Sequence, residues 1–176
     1  MGKEFTAEEK RLRDIIIEWA KEKAAQGEIE FKECFCREKH ISYRTKETTR
    51  LIQEKSVENY DRNRYRIIYW KKPEPPYHYV YEIGIDSEKN KLYLQLVFNY
   101  TGISDVTRKI CDHIYNNYRY YPRKDDLTRD YRRVRYFDAN IEKAEDKAAI
   151  EQKMEQLFSQ MKEYETFIIY HLREKS

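Results

Sequence analysis

Apolar and aromatic side chains alternate with polar ones in two neighbouring stretches near the middle of the chain. The first runs from Tyr77 to Ile85 and the second from Leu92 to Phe98, and the polar segment Asp86–Asn90 separates them. Alternation with a period of two, interrupted by residues that favour turns, predicts an antiparallel hairpin with one buried face. The period then changes to three or four between Ile103 and Tyr118, where Ser104 is available as a cap. That change predicts a helix directly after the hairpin.

Helical periodicity marks both ends of the chain. Between Thr6 and Gln26 the apolar residues follow a helical stripe, with Glu9 placed for a capping box and Gly27 placed to end the helix. Between Asn140 and Leu172 the spacing alternates between four and three, as in the heptad-like seam Ile150, Met154, Leu157, Met161, Tyr164 and Ile168. Such a seam either packs across the chain's own domain or joins two copies in a homodimer, and the spacing leaves both interpretations open.

The remaining segments are shorter. The pattern predicts strands near residues 29–36, over 65–70 and over 131–137, and a short helix over Thr45–Lys55. Three prolines between residues 71 and 76 remove backbone donors, so that segment is predicted to be a stiff connector.

These elements predict one α+β domain, of the α/β layered kind, over residues 1–176. Its parts are an N-terminal helix (1–27), a core with the order αβββαβ (45–137) and a long C-terminal helix (140–173). The antiparallel hairpin lies at the centre of the predicted core.

The composition indicates a folded chain with many aromatic side chains that are suited to partly solvent-exposed surfaces. Charged residues make up 38% of the sequence, which alone would favour disorder, but the chain also has 17 Tyr, 7 Phe and 2 Trp. No apolar run approaches the ~18 residues that a membrane-spanning helix needs, and the charged start has no signal-peptide pattern. Three cysteines do not make a disulfide framework, so we expect a cytoplasmic protein without membrane contact.

Positive charge is concentrated in the middle of the chain. Residues 62–137 contain 16 Lys and Arg against 9 Asp and Glu, whereas the net charge of the whole chain is +3. Arginines can hold phosphates and tyrosine faces can stack on bases, so this mixture predicts a DNA- or RNA-binding surface. The candidate residues are Arg62, Arg64, Arg66, Lys71, Lys72, Arg119, Tyr120, Tyr121, Arg123, Lys124, Arg129, Arg132, Arg133 and Arg135. Alternation along the last strand places Arg133 and Arg135 on the same side of it.

The order αβββαβ is also the core order of the PD-(D/E)XK nuclease fold, whose site holds a divalent metal between carboxylates and uses a lysine on the third strand. Glu82, Asp86 and Gln95 are the candidates for that site. Val97 stands where the lysine is needed, and a valine can neither coordinate a metal nor donate a proton. We therefore expect no catalytic residues and no metal, with Mg²⁺ as the cofactor only if this degenerate site is active.

Five stretches resemble a bacterial family of PD-(D/E)XK-annotated proteins, and more closely the module that follows the nuclease domain in those longer chains. They are Ile41–Lys46, Trp70–Pro73, Tyr77–Ile83, Leu92–Leu96 and Arg108–Ile114. The resemblance covers roughly residues 40–170. It implies a role in bacterial DNA metabolism or phage defence, but it does not imply activity, because a chain of this length lacks room for the separate catalytic domain.

Two other functions are consistent with the sequence. Arg108 and His113 form the R-x4-H pattern of HEPN ribonucleases, in which the histidine moves a proton and the arginine steadies a phosphate without a metal. The heptad-like seam instead favours an accessory module that binds a protein partner through the C-terminal helix. The main hypothesis is a non-catalytic, nuclease-like domain that binds nucleic acid.

Overall fold

In the computed structural model, the described residues are 4–33, 35, 39–61, 78–119 and 130–174. They form four helices and five strands. The helices are α1 (Ala7–Ala25), α2 (Lys46–Asp61), α3 (Asp105–Tyr118) and α4 (Lys147–Glu174). The strands are β1 (Glu30–Glu33), β2 (His40–Arg44), β3 (Tyr79–Asp86), β4 (Lys91–Asn99) and β5 (Tyr131–Asn140). The predicted mixed α+β class is confirmed.

The five strands form one antiparallel sheet in the order of the chain, β1-β2-β3-β4-β5. The predicted central hairpin is confirmed, with Tyr79 opposite Phe98 at one end and Asp86 opposite Lys91 at the other. Strand β2 is absent from the sequence prediction, because its five residues are too few to show a period. The predicted strand over 65–70 and the connector over 71–76 lie outside the described residues.

The helices build the core on one face of the sheet. Helix α1 packs against β1, β2 and β3, helix α4 packs against β4 and β5, and α2 contacts both α3 and α4. Alternation therefore buries Tyr79, Tyr81, Ile83 and Ile85 of β3 beneath the helices, and it directs Glu82 and Gly84 to the opposite face. We call this opposite side of the sheet the polar face.

The heptad-like seam of α4 belongs to the chain's own core. Its six residues are at most 6% exposed, and all of them join the central cluster of buried side chains. This is the first of the two predicted interpretations. The helix begins at Lys147, later than predicted, since β5 continues to Asn140 and the Asp146 carboxylate accepts a hydrogen bond from the Ala149 amide at the helix start. None of the described helices combines the length and the apolar character that a membrane crossing requires.

Glu9 anchors the start of α1 to the sheet. The predicted capping box is confirmed, since the Thr6 amide donates to Glu9 Oε1 over 2.9 Å and the Glu9 amide donates to Thr6 Oγ1 over 3.1 Å. Glu9 also pairs with the Lys39 ammonium, and the Ser87 hydroxyl donates to Glu9 Oε2 over 2.6 Å. The hydrogen bond from Lys39, followed by those from Ser87 and Thr6, lowers the pKa of Glu9 to about 2.

We predict that Glu9→Gln makes the free energy of unfolding less sensitive to pH between about 5 and 2. A carboxyl whose pKa is lowered on folding stabilises the protein above its unfolded pKa, and this contribution disappears as the pH falls from about 5 towards 2. Glu9→Gln should lower the free energy of unfolding by roughly 1–2 kcal/mol at pH 7, and the difference from wild type should vanish near pH 2. Urea unfolding at several pH values measures this. Glu22→Gln, which neutralises an exposed residue of the same helix, is the control, and a constant difference between Glu9→Gln and wild type across this pH range would contradict the assignment.

Candidate nucleic-acid interface

Two of the predicted nuclease residues meet on the polar face. Glu82 and Gln95 are opposite each other in the register of β3 and β4, and they are 4% and 5% exposed. Gln95 Nε2 donates to Glu82 Oε1 over 2.9 Å. The hairpin therefore brings together two of the three side chains that the sequence placed in one candidate site.

Basic groups occupy the remaining sides of this pair. His40 Nε2 lies 3.0 Å from Glu82 Oε2, and Arg133 Nε donates to Gln95 Oε1 over 2.9 Å. Both oxygens of Glu82 and the amide oxygen of Gln95, the atoms that would coordinate a metal, thus already accept hydrogen bonds. Sequence reasoning missed His40, because its role depends on β2 pairing with β3.

The pKa of Glu82 is set by two opposing effects. Burial acts to raise it, but the hydrogen bond and charge of His40, with further hydrogen bonds from Tyr131 and Gln95, lower it below its usual value. The side chain is therefore a charged carboxylate that the polar face holds in place.

Asp86 does not join Glu82. It pairs with Lys91 at the far end of the hairpin, and its Oδ1 accepts a hydrogen bond from the Lys89 amide. Asp86 lies four positions along the strand from Glu82, which corresponds to about 13 Å. Val97, at the expected lysine position, is fully buried. Within the described part of the chain, no three His, Cys, Asp or Glu side chains converge in a way that could hold a metal.

A β-bulge corrects the prediction that Arg133 and Arg135 share one side of β5. Arg133 pairs with Val97, whereas Arg135 pairs with its neighbour Leu96, so the two arginines lie on opposite faces. The extra residue, Val134, reverses the alternation. Arg133 lies on the polar face, with its guanidinium carbon 4.7 Å from the centre of the Tyr136 ring. Arg135 lies on the helical face, 4.3 Å from the ring centre of Phe137 and 5.7 Å from that of Tyr164.

Among the residues that the structure describes, the polar face is not a basic surface. It forms an open concavity of about 1160 Å³, and its lining contains six Lys or Arg and five Asp or Glu residues. Several of these are paired, such as Lys91 with Asp138 and Arg44 with Glu30. A phosphate backbone would therefore meet nearly balanced charge here.

A cluster of arginines instead lies near the end of β4, along α3 and at the start of β5. Arg132 lies over two rings at once, 4.5 Å from the ring centre of Tyr100 and 5.1 Å from that of Tyr115. Arg108 lies 5.2 Å from the ring centre of Tyr100, and Arg119 lies 4.6 Å from that of Tyr115. We call Arg108, Arg119 and Arg132 the arginine triad. Arg119 and Arg132 are among the predicted nucleic-acid ligands. Arg108 was predicted instead as part of the R-x4-H pattern.

The two tyrosines make the arginine triad a fixed arrangement. Tyr100 and Tyr115 are 2% and 0% exposed, so their rings belong to the core and cannot move with the arginines. Two acidic residues come near: Asp112 lies beside the Tyr100 side chain, and the Asp130 backbone carbonyl accepts a hydrogen bond from the Tyr100 amide. Even so, within the ranges that the structure describes, Arg108 and Arg119 form no ion pair.

The structure does not bring Arg108 and His113 together. Arg108 points to Tyr100, whereas His113 lies against Asn117 and the edge of the Tyr118 ring, farther along α3. Both side chains are exposed. Five positions turn a helix through about 140°, which places the two on different sides of α3.

The other predicted nucleic-acid ligands lie outside the described residues. They are Arg62, Arg64, Arg66, Lys71, Lys72, Tyr120, Tyr121, Arg123, Lys124 and Arg129.

Comparison with known proteins adds no relative: no family model, no curated protein and no solved structure matches this chain.

Proposed function

We propose that this chain is a non-catalytic nucleic-acid-binding domain whose phosphate contacts include the arginine triad. The observation that carries the proposal is the placement of three guanidinium groups on two buried tyrosine rings. Guanidinium is the side-chain group best suited to phosphate, because its planar fork donates two parallel hydrogen bonds. A ring beneath each guanidinium orients it before the ligand arrives, which reduces the entropy lost on binding.

The clustering of like charges supports an anionic ligand. Three cations near one another repel, and this repulsion is relieved when a phosphate lies between them. The stretch between α3 and β5 adds Arg123, Lys124 and Arg129 close to the triad in sequence.

The hydrogen bonds of the polar face favour binding over cutting. A metal at Glu82 and Gln95 would have to compete with His40 and Arg133 for the oxygens that they already use. Arg108 acts in this proposal as a phosphate ligand and not as the partner of His113. A cytoplasmic location, the resemblance to the PD-(D/E)XK-associated module and a role in bacterial DNA metabolism or phage defence are parts of the proposal that follow from the sequence.

We predict that Arg108→Gln combined with Arg119→Gln weakens oligonucleotide binding and its dependence on salt. Each phosphate contact adds close to one to the slope of log K against log salt concentration, so the double variant should reduce that slope by about two. The dissociation constant at low salt should rise at least about tenfold. Fluorescence anisotropy with duplex and single-stranded DNA and RNA over a salt series measures both quantities.

The matched control removes the same charge elsewhere. Lys10→Gln combined with Lys21→Gln changes two exposed cations of α1, so it should reduce affinity only slightly. The proposal is rejected if wild type binds none of the four oligonucleotides at low salt, or if the two double variants lose affinity equally.

The exposed end of α4 favours a second candidate, an accessory module that binds a protein partner. Phe167 and Tyr170 are 39% and 60% exposed, and they are the large apolar side chains with the greatest exposure in the described ranges. They lie beside His171, whose ring centre is 4.1 Å from that of Phe167. Since the seam itself is buried, a partner of α4 would have to use this end of the helix.

A further inference from the structure

A cavity of about 230 Å³ lies between the start of α2 and the middle of α4, away from the arginine triad. Its walls include three aromatic rings, those of Tyr43, Tyr81 and Phe158, and the carboxylate of Glu165. Tyr43 and Tyr81 are stacked with their ring centres 5.0 Å apart, and Phe158 is tilted against Tyr43 at 6.0 Å. The volume is below that of a drug-sized pocket, so it suits a group of a few non-hydrogen atoms.

Glu165 is a buried carboxylate that hydroxyl groups hold in place. It is 4% exposed, and its Oε2 accepts hydrogen bonds from Thr45 Oγ1 and Thr48 Oγ1, each over 2.8 Å, and from the Tyr81 hydroxyl over 2.5 Å. Thr45 also caps α2, since its Oγ1 accepts from the Thr48 amide. The charge of Glu165 therefore faces the positive end of a helix dipole.

The surrounding phenols are neutral groups and not competing charges. Burial, followed by the nearby charge of Glu165, raises the pKa of both Tyr43 and Tyr81 well above the usual value. Tyr81 can therefore only donate to the carboxylate, and its ring and that of Tyr43 present neutral aromatic surfaces.

What Glu165 lacks is a cation. All three of its hydrogen bonds go to Oε2, and among residues 4–33, 35, 39–61, 78–119 and 130–174 it forms no ion pair and Oε1 accepts no hydrogen bond. Lys46 and Lys162 also line the cavity, but Lys162 Nζ lies 6.0 Å from the ring centre of Phe158 and Lys46 Nζ lies beside Gly27. A buried carboxylate without a counter-charge is costly, and a cation in the cavity would offset that cost.

We propose that this cavity binds a small alkylammonium cation, such as a primary amine or the end of an amine-bearing side chain. Glu165 Oε1 supplies the counter-charge, and the Tyr43, Tyr81 and Phe158 rings supply the aromatic surfaces that attract ammonium groups. The proposal does not depend on the nucleic-acid proposal, since the two sites share no residue.

The methionines of the chain provide a direct test on the wild-type protein. The sequence contains three methionines, of which Met161 lines the cavity and Met154 lies in the core without lining it. In protein with ¹³C-labelled methionine methyl groups, n-butylammonium chloride should shift the Met161 signal in a saturable way and leave Met154 unchanged. Sodium chloride at the same concentration and n-butanol, a neutral analogue, are the controls. No saturable shift at Met161, or an equal shift with n-butanol, would overturn the proposal.

A pair of glutamine variants then assigns the counter-charge. Glu165→Gln keeps the size of the side chain and removes its charge, so the dissociation constant for n-butylammonium should rise about tenfold or more. Glu163→Gln makes the same change at an exposed position of the same helix, so it should leave the constant unchanged. Equal affinity in both variants would contradict the role of Glu165. If Glu165→Gln fails to fold, the wild-type titration decides the matter by itself.

Discussion

Leu157→Glu is expected to prevent the chain from folding at 25 °C. Leu157 is 1% exposed in the middle of the α4 seam, where it belongs to the central apolar cluster. A glutamate at this position would place a carboxyl group among apolar side chains, which costs several kcal/mol whether the group is charged or protonated. The loss of the leucine packing adds to that cost, and together they approach the roughly 5–15 kcal/mol that stabilise a typical domain. Circular dichroism and light scattering of the purified variant measure the outcome.

The matched control places the same residue on the exposed side of the helix. Tyr170 is 60% exposed, so Tyr170→Glu should change the free energy of unfolding by about 0.5 kcal/mol or less. Light scattering should also show that Tyr170→Glu leaves the wild-type oligomeric state unchanged unless this end of α4 is an interface. If the wild type is a dimer and the Leu157→Glu variant is a folded monomer, then the seam joins two copies instead.

The elements that could be predicted from sequence are those with a long, regular period. The β3–β4 hairpin and the α4 seam each repeat their pattern over many residues, and the structure confirms both. Strand β2 offers only five residues. The extent of β5 follows from its pairing with β4, and α4 begins directly after Asp146, whose Oδ1 accepts a hydrogen bond from the Ala149 amide. The periodicity of the apolar residues therefore predicted the existence of the elements better than their ends.

The predicted direction of side chains was wrong in β5, where a bulge interrupts the alternation. Alternation put Arg133 and Arg135 on one side of β5, but the bulge at Val134 separates them. A bulge depends on how two strands fit together, so β5 alone contained no sign of it. The consequence is functional, because one of these arginines lies on the polar face and the other lies on the helical face.

The candidate sites were predictable to different degrees. Glu82 and Gln95, two of the three residues grouped from the sequence, do lie opposite each other in the register of the hairpin, whereas Asp86 does not join them. The arginine triad was only partly visible, since Tyr100 and Tyr115 belong to no motif and bring together arginines from α3, from its end and from β5. The Glu165 site was invisible, because it joins the start of α2 to a residue 117 positions later in the chain.

Gly84 lies at a closely packed point of the polar face. It is opposite His40 in the register of β2 and β3, and a Cβ at this position would lie 2.5 Å from both His40 Cβ and the Lys39 carbonyl oxygen. Real Cβ atoms do not approach other atoms so closely, and one of these two atoms belongs to the backbone. Any side chain here must therefore push the start of β2 away from β3.

Gly84→Ala should consequently destabilise the chain far more than the addition of one methyl group suggests. Displacement of β2 strains the Ile85 amide to Lys39 carbonyl hydrogen bond and moves His40 away from Glu82, which leaves a buried carboxylate without its basic partner. We expect a loss of about 3 kcal/mol or more, equivalent to a fall in Tm of roughly 10 °C, in thermal unfolding followed by circular dichroism. Gly102→Ala is the control. Gly102 has a φ of +69°, and apart from its chain neighbours no atom of the described residues lies within 4 Å of the place that the alanine methyl group would take, so only backbone strain of about 1 kcal/mol applies. If Gly84→Ala is no more damaging than Gly102→Ala, then β2 is not held against β3 as closely as the contact with His40 requires.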